Sequence, residues 1–205
     1  MQPNRYGFSL AALTAAALVV SACSNTATDT QAASAPPPPS TSVSSGAVAH
    51  NQADMMFAMM MIPHHQQAIE MSDLLLGKQG IDPRVTSLAQ QIKDAQGPEI
   101  DTMQAWLREW GSMSMPSHDM GMPGMSGSGH GMMSDDDMSA LAGAQGADAT
   151  RLFLEQMIQH HEGAITMAQS EIDNGGYPAA IEMATNIVSS QQAEITTMRE
   201  ILGSR

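Results

Sequence analysis

Two stretches of the chain carry the same apolar rhythm. Phe57, Met61, His64, Ala68, Met71 and Leu75 recur at steps of four and three, and Ala58, Ile62, His65, Ile69, Ser72 and Leu76 run beside them. Such spacing marks one wide face of an α-helix. Phe153, Met157, His160, Ala164 and Met167, flanked by Leu154, Ile158, His161 and Ile165, repeat it. A second periodic stretch follows each: Ala89, Ile92, Gln96, Glu99, Met103, Trp106 and Trp110, then Ala184, Ile187, Gln191, Glu194, Met198 and Ile201. Gly and Pro punctuate the intervals 77–83 and 174–178, so the pattern predicts four helices in two hairpins. No alternating run predicts a strand.

The hairpins are copies of each other. MIPHHQQAIEM at 61–71 aligns with MIQHHEGAITM at 157–167 at an offset of 96, and Gln96, Glu99, Ile100 and Met103 align with Gln191, Glu194, Ile195 and Met198 at an offset of 95. A duplicated hairpin buries its apolar face against its copy, about a pseudo-twofold axis. The expected fold class is all-α, a four-helix bundle over 53–203. Its second and third helices are joined by a long connection, 111–147, with no helical or strand period, expected to be disordered. Pro63 has Gln159 as its counterpart. Either it kinks a continuous first helix near the carbonyl of Met59, or the regular helix starts there and 55–62 form a separate turn.

Ahead of the bundle the patterning changes character. Arg5 precedes an apolar run from Phe8 to Val20, too short for the roughly 20 residues of a membrane-spanning helix. It ends in Val-Ser-Ala-Cys at 20–23, similar to the bacterial lipobox, whose cysteine is acylated and becomes the mature N-terminus. Residues 1–22 are therefore expected to be a lipoprotein signal peptide and Cys23 the lipidation site, two acyl signals giving stable anchoring. Residues 23–52 then form a Pro/Ser/Thr/Ala tether that cannot bury enough apolar surface to fold. The protein is expected to be exported and held on the bacterial cell membrane, with its body in the periplasm or extracytoplasmic space.

Charge and composition narrow the chemistry. The 205 residues include 21 acidic against 8 basic side chains, a net charge of −13, and loss of Arg5 makes the mature chain more acidic still. Such a chain cannot neutralise phosphates, so nucleic acid is not a partner. A single cysteine closes no internal disulfide and builds no thiolate metal site. Methionine, by contrast, occurs 20 times, although cores are ordinarily filled by Leu, Ile and Val.

The polar exceptions on the seams converge. If antiparallel partners within the first hairpin sum to about 160, His64 is level with Gln96 and Met61 with Glu99. In the second hairpin the sum is near 351, which pairs His160 with Gln191 and Met157 with Glu194. Four histidines, His64, His65, His160 and His161, thus point into one bundle, with Met61, Met71, Met103, Met157, Met167 and Met198 on the same faces. Buried polar groups must be satisfied by hydrogen bonds, water or a metal. One reading is a self-contained His/Glu/Gln network that sets the register of the hairpins. The favoured reading is a metal layer in which Glu99, Glu194, Gln96 and Gln191 orient and polarise the imidazoles rather than ligate.

Eight of the methionines fall in the connection, which offers no periodic core for them to fill. Met113, Met115, His118, Met120, Met122, Met125, His130, Met132 and Met133 are spaced there by Gly, Ser and Pro. A thioether is soft and neutral, suits Cu(I) or Ag(I), and needs no deprotonation. These residues are candidate ligands on a flexible chain. Asp135 to Asp137 read as a solvated charge run.

The doubled MIPHH/MIQHH signature, each followed by a helix with the Gln, Glu, Ile, Met pattern, resembles the bacterial exported family called "domain of unknown function 305". The resemblance covers about 54–202 and implies a ferritin-like four-helix fold. Family members include periplasmic copper-binding proteins linked to copper resistance, which implies Cu(I) or Ag(I) as the bound ion here. The expected function is an envelope lipoprotein that buffers copper, confers tolerance or passes the ion on, with a copper donor or acceptor protein as a further partner. An enzyme is not expected. A ferritin-like di-metal redox enzyme would carry Glu-x-x-His on two helices, where this chain has Met61 and Met157 three residues before His64 and His160. A structural or partner-binding lipoprotein with a His/Glu polar core is the remaining class.

Overall fold

A computed structural model describes residues 49–111 and 129–204. The signal peptide, Cys23, the tether as far as residue 48, and the ligand candidates Met113, Met115, His118, Met120, Met122 and Met125 lie outside the described residues, whereas Asn51 and Gln52, expected in the tether, already belong to the start of the first helix. Among the described residues there are five α-helices: α1 (Gln52–Leu76), α2 (Pro83–Glu109), α3 (Asp135–Gly143), α4 (Gly146–Asn174) and α5 (Pro178–Gly203). Helices α1 and α2 form one hairpin and α4 and α5 the other; the hairpins meet chiefly through α1 and α4. None of the described helices is long and apolar enough to cross a membrane.

Local chemistry sets the ends. Asn51 caps α1 by accepting from the backbone N–H of Ala53 and Asp54, while the Asp54 carboxylate accepts from the Asn51 N–H, a reciprocal capping box. Prolines open α2 and α5, where their missing N–H costs nothing. Helix α1 runs unbroken through Pro63, which faces solvent, so 55–62 are not a separate turn.

The stretch 134–143 departs from the expected disordered connection. Ser134 accepts from the Asp137 N–H, and Asp137 accepts from the Ser134 N–H, a second capping box that starts α3. Asp135 to Asp137 therefore form the first turn of a helix, where negative charge is favoured by the helix dipole. Leu141 is fully buried, and Met133 and Met138 pack into the core beside it. Too short to register as a period, this helix is stabilised by the groove it fills.

The core is in two apolar halves related by the duplication. One contains Met71, Ile92, Phe153, Met157 and Met198; the other contains Phe57, Met61, Met103, Met167 and Ile187. Each half thus holds three buried methionines from the hairpin helices, and the offsets of 96 and 95 exchange one trio for the other; Met133 adds a fourth to the first half.

One buried contact breaks the symmetry. Asp54 and Glu171 are both buried where their counterparts are Thr150 and Leu75. Asp54 Oδ1 accepts from the N–H of Gly176 and Tyr177, at 2.9 and 2.8 Å, which fastens the α4–α5 turn to the start of α1. Neither Glu171 oxygen takes a hydrogen from another group, so this carboxyl keeps its own proton and shares it with Asp54. Burial, the hydrogen bond to Asp54 and the Asp54 charge raise its pKa to about 8. Burial also works against the Asp54 charge, but the hydrogen bonds from Glu171, Asn51, Tyr177 and Gly176 outweigh it and lower that pKa.

The sign of the pH dependence follows from proton counts. Between about 4.5 and 8 the unfolded chain ionises Glu171 while the folded chain holds its proton, so this residue's contribution to stability declines as pH rises through that window. Asp54 acts oppositely, losing its stabilising contribution only as pH falls below the ordinary aspartate range. Below about pH 7 the two buried neutral histidines of the core raise stability as pH rises, so the Glu171 effect is read above them: denaturant midpoints measured from pH 7 to 8.5 should fall for the wild type. Glu171→Gln should flatten that slope; an unchanged slope would contradict the assignment.

Candidate metal centre

Four imidazoles separate the two apolar halves, all nearly or fully buried. Consecutive positions on a helix are about 100° apart, so the two histidines of each HH pair serve different neighbours. His64 and His160, one from each copy, face each other between α1 and α4 with ring centroids 3.7 Å apart. The second histidines turn toward their own hairpin partners. His65 Nε2 donates to Glu99 Oε2 at 2.8 Å, and His161 Nε2 donates to Glu194 Oε2 at 2.6 Å. In each copy, 6.5 Å separates the first ring from the second.

The sequence register thus needs a small correction. Glu99 and Glu194 do orient imidazoles, but those of His65 and His161, about one turn away from the level drawn by hairpin arithmetic. Gln96 and Gln191 are buried beside the layer, and the side-chain oxygen of each is without a hydrogen-bond donor. Met61, Met71, Met103, Met157, Met167 and Met198 are buried in the apolar halves on either side.

The donors are under-used. Nδ1 of His64, His65 and His161 and both ring nitrogens of His160 are buried without a hydrogen-bond partner. A buried orphan costs about 1–3 kcal/mol, so five in one layer are a sizeable burden unless something else occupies them. Burial, reinforced by the neighbouring histidines, pulls the His64 pKa down to about 3 and that of His160 well below its usual value. Both remain neutral throughout the physiological range and present lone pairs with no proton to displace. Among the described residues no three His, Cys, Asp or Glu side chains are grouped as a ready-made ligand set. Two neutral imidazoles, each with a methionine one helical turn earlier in its own helix, suit an ion of low coordination number and soft character.

A strap closes this layer from outside. The 3-10 turn Gly129–Gly131 lies against α4, and the carbonyl of His130 accepts from His64 Nε2 at 3.0 Å. Gln67 donates to the Met133 carbonyl at 2.8 Å and accepts from the Met133 N–H at 2.7 Å. Gly163, the counterpart of Gln67 in the second copy, supplies the opening: a Cβ there would stand 1.6 Å from the His130 carbonyl oxygen. His130 itself adopts the left-handed region at φ 58°, which a non-glycine residue tolerates only where surroundings impose it. Its side chain is exposed and Met133 is core, so of the described connection candidates only His130 and half-buried Met132 retain access to solvent. Gln67, Gly163 and the strap were not found from periodicity; the Ser134-x-x-Asp137 capping pattern was the available signal that order resumes there.

Comparison with known proteins agrees with this architecture. The family model described as a domain of unknown function, DUF305, matches residues 54–202. The chain belongs to this family. A DUF305 fragment from Deinococcus radiodurans is similar in structure at 30% identity, with a TM-score of 0.66, covering 76% of this chain and 98% of that one. A DUF305 protein from Streptomyces coelicolor is 32% identical with the same TM-score, over 74% of this chain and 91% of its own. CopM in its Cu(I)-bound form is 32% identical, with a TM-score of 0.60, over 74% of this chain and 96% of its own. CopM structures also exist in Cu(II)-bound and Ag-bound forms. Comparison with curated proteins gave no match.

The strap's role is open to direct measurement. Gly163→Ala should expel 129–133 from the α1–α4 face, seen as faster amide hydrogen exchange at Gly131 to Met133 with helicity retained. Unchanged exchange would mean that the strap is held by contacts other than this opening.

Proposed function

We propose that this DUF305 protein binds monovalent copper, with silver as a surrogate, and serves as an envelope-anchored copper buffer or carrier. The observation that carries this reading is the His64–His160 pair: two neutral, buried imidazoles in contact, with unpartnered nitrogens. Membership of a family that includes copper- and silver-bound CopM supports the same ion class for this chain.

In this reading His64 and His160 bind the ion, and His65 and His161, each oriented by a glutamate, are adjoining donors. Met61 and Met157 lie one helical turn before the first histidines and Met71 and Met167 two turns after, with Met103 and Met198 on the partner helices. A thioether competes poorly for protons and hard cations, which favours Cu(I) over the divalent ions of the envelope. Because binding displaces no proton from His64 or His160, affinity should change little between pH 6 and 8. The acidic surface raises the local concentration of cations around the bundle. Met113, Met115, His118, Met120, Met122, Met125, His130 and Met132 form a separate, more accessible ligand set, whereas Met133 is committed to the core. Export and acylation at Cys23 would hold both sets at the membrane surface.

A redox enzyme is less well supported. Glu99 and Glu194 are engaged by His65 and His161, and neither α1 nor α4 carries the Glu-x-x-His arrangement of di-metal carboxylate sites.

Anaerobic Cu(I) titration against a chromophoric competitor tests the assignment. His64→Ala with His160→Ala should remove a discrete class of bound copper while leaving that of the connection. Replacing 112–128 by a Gly/Ser linker should do the reverse. Copper binding by the double variant equal to wild type would make the layer structural. For the anchor, Cys23→Ala should release the protein from the membrane fraction.

A further inference from the structure

Four methionines, Met55, Met56, Met59 and Met60, occupy the first turns of α1 and take no part in the layer above. At about 100° per residue, Met59 lies between Met55 and Met56 on one stripe of the helix. Met59 is the (i, i+4) neighbour of Met55 and the (i, i+3) neighbour of Met56, spacings that bring Cβ atoms to about 5–6 Å. Met60 turns away and packs on the core. Met56 and Met59 are 42% and 46% exposed, the large apolar side chains most given to solvent among the described residues. Met55 is half-buried beside them.

The duplication supplies an internal control. At the offset of 96 the same stripe of α4 holds Arg151, Leu152 and Glu155, and Arg151 Nη1 pairs with Glu155 Oε2 at 2.9 Å. The same helical face in the same fold thus has an ordinary (i, i+4) ion pair in one copy and thioethers in the other. Nothing in the packing of α1 demands methionine there, and exposed methionine is both apolar and oxidisable. Two exposed side chains are also a small patch for docking a macromolecule, for which several hundred Å² is usual. Three neutral sulfurs on one ordered stripe do suit a soft ion that takes two or three ligands.

We propose that Met55, Met56 and Met59 form a surface site for Cu(I) or Ag(I), held by thioethers on a helix. It rests on the monovalent-copper reading but uses none of the residues assigned there. The site sits beside the departure of the methionine-rich segment: His50, just ahead of α1, stacks on Trp110 at 4.6 Å, and Gly111 is the last described residue before 112–128. Unlike the histidine layer, it is open to solvent and lies outside the strap. It therefore provides an ordered, accessible position where an ion can be taken up or handed on.

The test uses the full-length protein with its methionine ε-methyl groups labelled with carbon-13, titrated with Ag(I), which is diamagnetic and stable in air. The methyl signals of Met55, Met56 and Met59 should move together and saturate at one equivalent. Met55→Arg with Met59→Glu installs the ion pair of the second copy, and should remove one equivalent of bound Ag(I) with helicity unchanged. Met56→Leu, which preserves shape without sulfur, should weaken the same site. Unmoved signals for these three methyl groups at saturating Ag(I), or an unchanged stoichiometry in the Arg/Glu variant, would overturn the proposal. The histidine ring signals and the Met61 and Met157 methyl signals report the buried layer in the same titration, so failure of either site is seen separately.

Discussion

The contact between His64 and His160 is the constraint around which the rest of the bundle is arranged. Two imidazoles meet where the copied hairpins face each other, and their burial is tolerable only while both stay uncharged. A positive charge there would sit in a low-dielectric layer beside three other histidines, with its only carboxylates already engaged by His65 and His161. The apolar halves on either side keep water away, and the strap seals the outer edge through the His130 carbonyl. Fold and chemistry share the same residues, because the groups that register one hairpin against the other are the groups that offer lone pairs.

Duplication explains why this arrangement is economical and where it has been adapted. Most paired positions keep their role, as with His65–Glu99 and His161–Glu194. Departures cluster where the copies have diverged in task. Gln67 grips the strap while Gly163 makes room for it, although the two are equivalent by position. Asp54 and Glu171 clasp the turn between α4 and α5, whereas Thr150 and Leu75 at the other end make no such pair. A symmetric frame thereby carries an asymmetric lid and an asymmetric latch.

Much of this frame was legible in the heptad-like steps of the chain. The period that puts Phe57, Met61 and His64 on one face is a local property of helix geometry, and the repeat at 153–160 announces its partner. The division of labour within each HH pair was not legible. Sequence spacing places both histidines inward, but whether one meets α2 or α4 depends on how the hairpins cross, so Glu99 was drawn level with Met61 rather than joined to His65. Order in 129–143 was missed for a different reason. Its stability comes from Leu141, Met133 and Gln67 contacts made across 60 or more residues, and only the Ser134 capping box leaves a local trace. The carboxyl pair Asp54–Glu171 was invisible for the same cause, since its members lie at opposite ends of the duplicated segment.

The aromatic residues have a consequence for how the molecule can be watched. Both tryptophans, Trp106 and Trp110, stack with ring centroids 6.0 Å apart, and Tyr177 meets each edge-on. His50 completes the group by stacking on Trp110. All of the chain's indole emission therefore arises from one end of the bundle, where α1 begins and α2 finishes. The protein carries a built-in optical reporter for that end, while the half-core around Phe153, Met157 and Ile195 is spectrally silent.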